Sequence, residues 1–315
     1  MQVIIDKGIP FLDDVFPPEI EVLYLSPEDI TPEVVHNANA LFVRTRTRIN
    51  KELLHGSNVQ FVATATIGFD HIDQAYCREA NIQWVSCPGC NAQAVCDYVE
   101  EAISSIKSNK TNLTIGIIGY GHVGKLVAKM AERNGHRVLL SDPPLGIGLS
   151  LEEMAPKCDV LTFHTPLTHD SKHPTYHLCN DAILSLCKPD ALIINAARGG
   201  VIDEQALIHH LQQSPTTQTV IDCWENEPQI NLQLLQLSNL ATFHIAGYSI
   251  AGKMRASEMC LEAFCKFFSL PILSINKKVV PLHGDSASGW LKRVSDQLKV
   301  QPEHFEQLRK QYKLR

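Results

Sequence analysis

The chain has 315 residues, 44% of them hydrophobic and 20% charged, a makeup near the globular average that leaves no room for a long disordered or fibrous region. Its formal net charge of −6 argues against a general nucleic-acid surface, and no run approaches the roughly 20 apolar residues of a membrane span. Length predicts two domains, because single cores rarely grow beyond about 250–300 residues.

Met1 to Asp6 runs straight into an apolar strand pattern without the long apolar region of a secretory leader, and the ten cysteines are scattered. A reducing cytoplasm is the expected setting. Cys87-Pro88-Gly89-Cys90 has redox or half-zinc spacing, but no second pair completes a metal set. We read it as a turn into a helix with two reduced thiols, and expect no metal.

In chain order, β-rich runs at Val3 to Ile5, Glu21 to Tyr24, Ala40 to Val43, Phe61 to Thr64 and Gln83 to Val85 alternate with mixed segments, which predicts a small parallel α/β domain. Between Ala92 and Lys107, apolar residues recur at helical spacing and predict a helix connecting two domains. Strands follow at Ile115 to Ile118, Val138 to Ser141, Val160 to Phe163, Leu192 to Asn195, Thr219 to Ile221 and Ala241 to Phe243, with helical patterns between them. Six such strands describe a doubly wound parallel sheet. A helical pattern then returns from Met254 to Phe268 and stops at Leu270-Pro271, before a polar, basic tail. The expected division is a substrate domain of residues 1–92 and 250–272, a dinucleotide-binding domain of 93–249, and an extension of 273–315.

Gly119-Tyr120-Gly121-His122-Val123-Gly124 follows a predicted strand and opens a helix, the context in which this glycine pattern binds a dinucleotide pyrophosphate. Asp142 ends the next strand, where a carboxylate accepts hydrogen bonds from the adenosine ribose and repels a ribose phosphate. NAD is therefore expected over NADP. Oxidising a 2-hydroxy acid also needs a cation for the carboxylate and a base for the hydroxyl proton. Arg198, in Asn195 to Asp203, stands just after an apolar strand, and the segments Asp222 to Pro228 and Phe243 to Tyr248 follow the next two.

These segments, with Val43-Arg44-Thr45, Ala63 to His71, Pro88 to Ala92, Thr162 to Leu167 and His244 to Tyr248, resemble the D-isomer-specific 2-hydroxyacid dehydrogenases over roughly residues 1–270. The resemblance implies a Rossmann NAD domain with a smaller flavodoxin-like α/β substrate domain, a small phosphorylated sugar acid as substrate, and a homodimer. It makes Arg198 and Glu227 active-site residues and His244 the acid/base. NAD would meet the glycine turn, Asp142, Thr165, Ala196, Asp222 and Gly247, while Thr45, Thr66 and Tyr248 would touch substrate. Thr45 stands where the family usually has serine. The family's carboxyl-terminal dimerisation domain is represented by the short extension alone.

Arg44-Thr45-Arg46-Thr47-Arg48 alternates three cations with two hydroxyls in an acidic chain; the run is expected to turn away from the strand so that two of Arg44, Arg46 and Arg48 converge on a phosphate, with Arg44 among the expected substrate contacts. Lys253 and Arg255 are further candidates for that anion. Two other readings remain open on the residues: glycerate or 3-phosphoglycerate as substrate, and a dinucleotide-sensing binding protein.

Overall fold

The computed structural model describes residues 1–108, 110–275 and 289–312. The chain divides into two compact units, Met1–Asn91 with a return at Ser249, and Ala92–Tyr248 with the C-terminal stretch.

The first unit begins with β1 (Gln2–Asp6), β2 (Glu21–Leu25), α1 (Pro32–Val35), β3 (Ala40–Val43), α2 (Lys51–Leu54), β4 (Phe61–Thr64), α3 (Gln74–Glu79) and β5 (Gln83–Val85). Its sheet is wholly parallel in the order β2-β1-β3-β4-β5, the flavodoxin-like arrangement. Side-chain alternation builds a core on each face: Val3, Ile5, Phe42, Phe61 and Ala63 point one way, while Ile4, Leu41, Val43 and Val62 point the other. Burial on both faces explains why these strands read as unbroken apolar runs.

The second unit continues with α4 (Ala92–Ile106), β6 (Thr114–Ile118), α5 (His122–Arg133), β7 (Arg137–Asp142), β8 (Ile147–Gly148), α6 (Leu151–Met154), β9 (Val160–Phe163) and α7 (Asp181–Leu186). It goes on through β10 (Leu192–Asn195), α8 (Glu204–Gln213), β11 (Gln218–Ile221), α9 (Leu232–Leu237) and β12 (Leu240–Ala241). The order is β12-β11-β10-β9-β6-β7-β8, so the winding reverses between β6 and β9, the crevice position where doubly wound sheets bind ligands. Two details depart from the sequence reading. A seventh strand, β8, pairs antiparallel with the end of β7; two residues ending in a glycine of φ +82° carry too little periodicity to announce a strand. The last strand also ends at Ala241, because Asp222 gathers the segment after it into a loop.

At Ser249 the chain returns to the first unit, where the Ser249 side chain accepts the Gly252 N–H and starts α10 (Ile250–Phe267). Ala256, Cys260, Leu261 and Phe264 of α10 lie on the first core, where Phe264 meets Phe16, Phe42 and Phe61 at centroid separations of 5.5–6.2 Å. Cys87 and Cys90 are free thiols in a turn ahead of α4, closed by the Cys90 N–H on the Cys87 carbonyl. The described tail holds α11 (Trp290–Val300) and α12 (Phe305–Gln311). Trp290, Leu291, Val294, Leu298, Phe305 and Leu308 join the core of the second unit. The overall polarity of the tail had concealed this apolar stripe.

Candidate active site

The turn from β6 into α5 requires glycine at its first position. Gly119 has φ +93°, and a Cβ there would lie 2.6 Å from the His164 carbonyl oxygen at the end of β9. Gly121, His122 and Val123 follow at the exposed or half-buried N-terminus of α5, and Gly124 is buried behind them. Asp142 accepts the Tyr120 N–H at 2.7 Å and the Leu145 N–H at 3.2 Å, so its carboxylate ties the glycine turn to the end of β7. Burial pushes the His164 pKa down to about 3 and keeps the ring neutral. His164 Nδ1 and Thr165 Oγ1 are buried without a hydrogen-bond partner among the described residues. Buried orphans beside a glycine-edged turn at the switch point fit a dinucleotide that satisfies them. Ala196 is 9% exposed just past β10, and Gly247 lies half-buried in the loop after β12.

Asp222, 1% exposed at the end of β11, organises that loop. One carboxylate oxygen accepts the Thr242 hydroxyl at 2.6 Å and the Ile245 N–H at 2.7 Å, and the other accepts the Ala246 N–H at 2.9 Å. The Tyr98 hydroxyl from α4 lies 2.8 Å from the Thr242 hydroxyl, and the Trp224 indole donates to the Thr242 carbonyl. The loop thus held contains His244 with φ +58°, a left-handed backbone that costs energy outside glycine and here aims the imidazole.

Glu227 approaches His244 Nδ1 with both oxygens, at 2.8 and 3.1 Å, and one of them also accepts the Trp224 N–H at 2.9 Å. Burial is the largest influence on His244 and pushes its pKa down, but the Cys223 sulfur and the Glu227 carboxylate outweigh it and hold the ring well above the ordinary imidazole range. Burial keeps the Cys223 thiol protonated, so Glu227 is the partner that carries charge. For Glu227, burial is again the largest influence and raises the pKa; the His244 contact, the Trp224 N–H and Arg309 more than reverse it. Ligand atoms of Cys223, Glu227 and His244 fall within 4.8 Å of one another, yet the Glu227–His244 hydrogen bond already joins the facing atoms as an acid/base pair. The Arg198 side chain is exposed, with Nη1 donating to the Ala197 carbonyl at 2.7 Å.

In the first unit, Arg44 lies across Gly8, where a Cβ would come within 1.9 Å of its Nη2. Its Nε and Nη2 each donate to the fully buried Asp6 at 2.8 Å, leaving Nη1 without a hydrogen-bond partner among the described residues. The arginine run does not converge as a strand face: Thr45, Arg46 and Arg48 are exposed around a turn, and Thr47 is buried. Lys253 lies within electrostatic reach of Arg44. Surrounding protein atoms, the larger effect, and the Arg44 charge both lower its pKa. Arg255 is instead drawn to Glu258 and Glu262 of its own helix at 3.3 and 3.1 Å. Thr66 donates to the Gly68 carbonyl at 2.9 Å. Tyr248 ends the loop of the second unit, and Arg309 of α12 stands over its ring. Sequence reasoning did not place Arg309 at this site, although Phe305 to Lys310 resembles part of the family's carboxyl-terminal domain.

Residues 96–246 match the family described as D-isomer specific 2-hydroxyacid dehydrogenase, NAD binding domain. The chain is similar to the erythronate-4-phosphate dehydrogenase of Bacteroides fragilis, 43% identical over all of this chain and 97% of that protein. It is also similar to the Marinobacter nauticus protein of that name, 42% identical over 86% of this chain and 74% of the relative. The NAD+-bound 3-phosphoglycerate dehydrogenase of Entamoeba histolytica shares the fold, with a TM-score of 0.70 at 22% identity over 88% of this chain and 99% of that one.

Proposed function

Because this chain belongs to the D-isomer specific 2-hydroxyacid dehydrogenase family and is an NAD-dependent enzyme, we propose that it oxidises 4-phospho-D-erythronate to 2-oxo-3-hydroxy-4-phosphobutanoate in pyridoxal phosphate biosynthesis, as a cytoplasmic homodimer. The relatives named for this substrate support the assignment. The observation that carries it to these residues is Arg44, oriented by Asp6 and accompanied by Lys253. Two neighbouring cations repel, and a phosphate placed between them relieves that repulsion.

NAD, when bound, accepts the hydride from C2. The Gly119–Gly124 turn and the α5 N-terminus would hold its pyrophosphate, Asp142 its ribose, and Thr165, Ala196, Asp222 and Gly247 its remaining polar groups. Arg198 would turn its guanidinium from the Ala197 carbonyl to clamp the substrate carboxylate. His244 would take the hydroxyl proton on Nε2 while Glu227 fixes Nδ1 and stabilises the charged ring. Thr45, Thr66 and Tyr248 complete the contacts assigned to substrate.

The test uses Arg44→Ala. With the wild type, removing the phosphate should lower kcat/KM by at least about a hundredfold, since hydrogen bonds to charged groups contribute about 1.5–3 kcal/mol each. The variant should weaken use of the phosphorylated acid and leave the poor use of erythronate unchanged. Equal losses on both acids would remove Arg44 from the phosphate.

A further inference from the structure

Helix α12 is fastened by Phe305, fully buried, and Leu308, 5% exposed. This fastening places the next residue, Arg309, against the catalytic loop. Its guanidinium carbon lies 5.5 Å from the centroid of the Tyr248 ring, a cation–π distance. The Tyr248 N–H in turn closes a turn on the Ile245 carbonyl at 2.8 Å, so the ring is one turn away from His244. Among the described residues, Arg309 makes one long ion pair within its own helix, to Glu306 at 3.4 Å, and its buried Nε has no acceptor. A tail arginine that merely covered a core would leave its head in water. This one sets its head over an aromatic ring and within electrostatic reach of Glu227.

We propose that Arg309 is a positioning residue of the dehydrogenase, holding the Tyr248 ring in place beside the Glu227–His244 pair. The proposal rests on the dehydrogenase reading of this site. The charged and titratable groups around the pair are Cys223 and Asp222 from the end of β11, Glu204 from α8, Tyr248 from the loop itself, and Arg309 with Glu306 from α12. Against these carboxylates the Arg309 cation opposes uptake of a further proton by the Glu227–His244 pair. Without it the apparent pKa of the pair rises. Since oxidation needs the neutral ring, the rising limb of the rate against pH moves to higher pH.

Full-length Arg309→Gln and Arg309→Lys test this with two readouts: the His244 imidazole titration followed by NMR with NAD bound, and the pH profile of kcat/KM for 4-phosphoerythronate. R309Q should move both midpoints upward, and kcat/KM below the limb should fall with that shift. R309K keeps the charge and loses the planar fork, so its limb should stay in place while KM rises several-fold. R309Q that binds NAD and titrates like the wild type overturns the proposal. If R309Q fails to fold, R309K decides: a raised KM with an unmoved limb supports it, and a wild-type KM overturns it. The NMR titration needs no substrate, so failure of the wild type to oxidise 4-phosphoerythronate would count against the proposed function and leave this test intact.

Discussion

The proposed chemistry rests on an imidazole that must be neutral to oxidise and charged to reduce. Glu227 holds the His244 pKa above its ordinary value, so the protonated pair contributes stability at low pH and loses it as pH rises through the raised pKa. Oxidation should accordingly accelerate across a limb lying above the unperturbed imidazole pKa of about 6.5. Glu227→Gln keeps the shape of the side chain and removes its charge. It should move the limb to lower pH and reduce kcat by about a hundredfold or more, measured from pH 5 to 10 at saturating cofactor. An unmoved limb would show that Glu227 does not set the ionisation of His244. The segments that hold His244, Glu227 and Arg198 stood out in the sequence just after apolar strands, while the roles assigned to the three came from resemblance. Arg309 did not stand out. It reaches Glu227 from 82 positions along the chain, and only the docking of α12 brings the two together.

Elements were legible where burial wrote a strong local pattern. The parallel strands are covered on both faces and show as continuous apolar runs, and the glycine turn shows because a Cβ at Gly119 would strike the His164 carbonyl. The two-residue β8 and the tail helices were missed for opposite reasons, the first too short for periodicity and the second averaged away by their polar faces. Helix α11 is nevertheless built into the second unit: Leu298 is fully buried, and the Ser295 hydroxyl accepts the Ala241 N–H at 2.9 Å. Leu298→Ala should cost about 2–5 kcal/mol in urea unfolding. A loss within about 0.5 kcal/mol, the range of ordinary surface substitutions, would mean that α11 lies loosely on the sheet. The same docking carries Arg309, so a destabilised α11 should also weaken catalysis at temperatures where the fold survives.

At the scale of the whole molecule, the two units hold different groups of candidate residues. The first unit supplies the Arg44 and Lys253 cations assigned to phosphate, and the second supplies the dinucleotide turn with the acid/base pair. Family membership gives the class of chemistry, and the proposed role of the cations is to select the substrate within it. Asp142 is the proposed source of a cofactor preference: the phosphate of NADP would meet a carboxylate already held in place by two backbone N–H groups. The most direct measurement is steady-state reduction of NAD with 4-phospho-D-erythronate, set beside D-erythronate, D-glycerate and 3-phosphoglycerate under the same conditions. The account predicts that kcat/KM for 4-phospho-D-erythronate exceeds each of the others by at least about a hundredfold, the worth of a charge-assisted contact or two. An equal or higher value for 3-phosphoglycerate or for either unphosphorylated acid would contradict it.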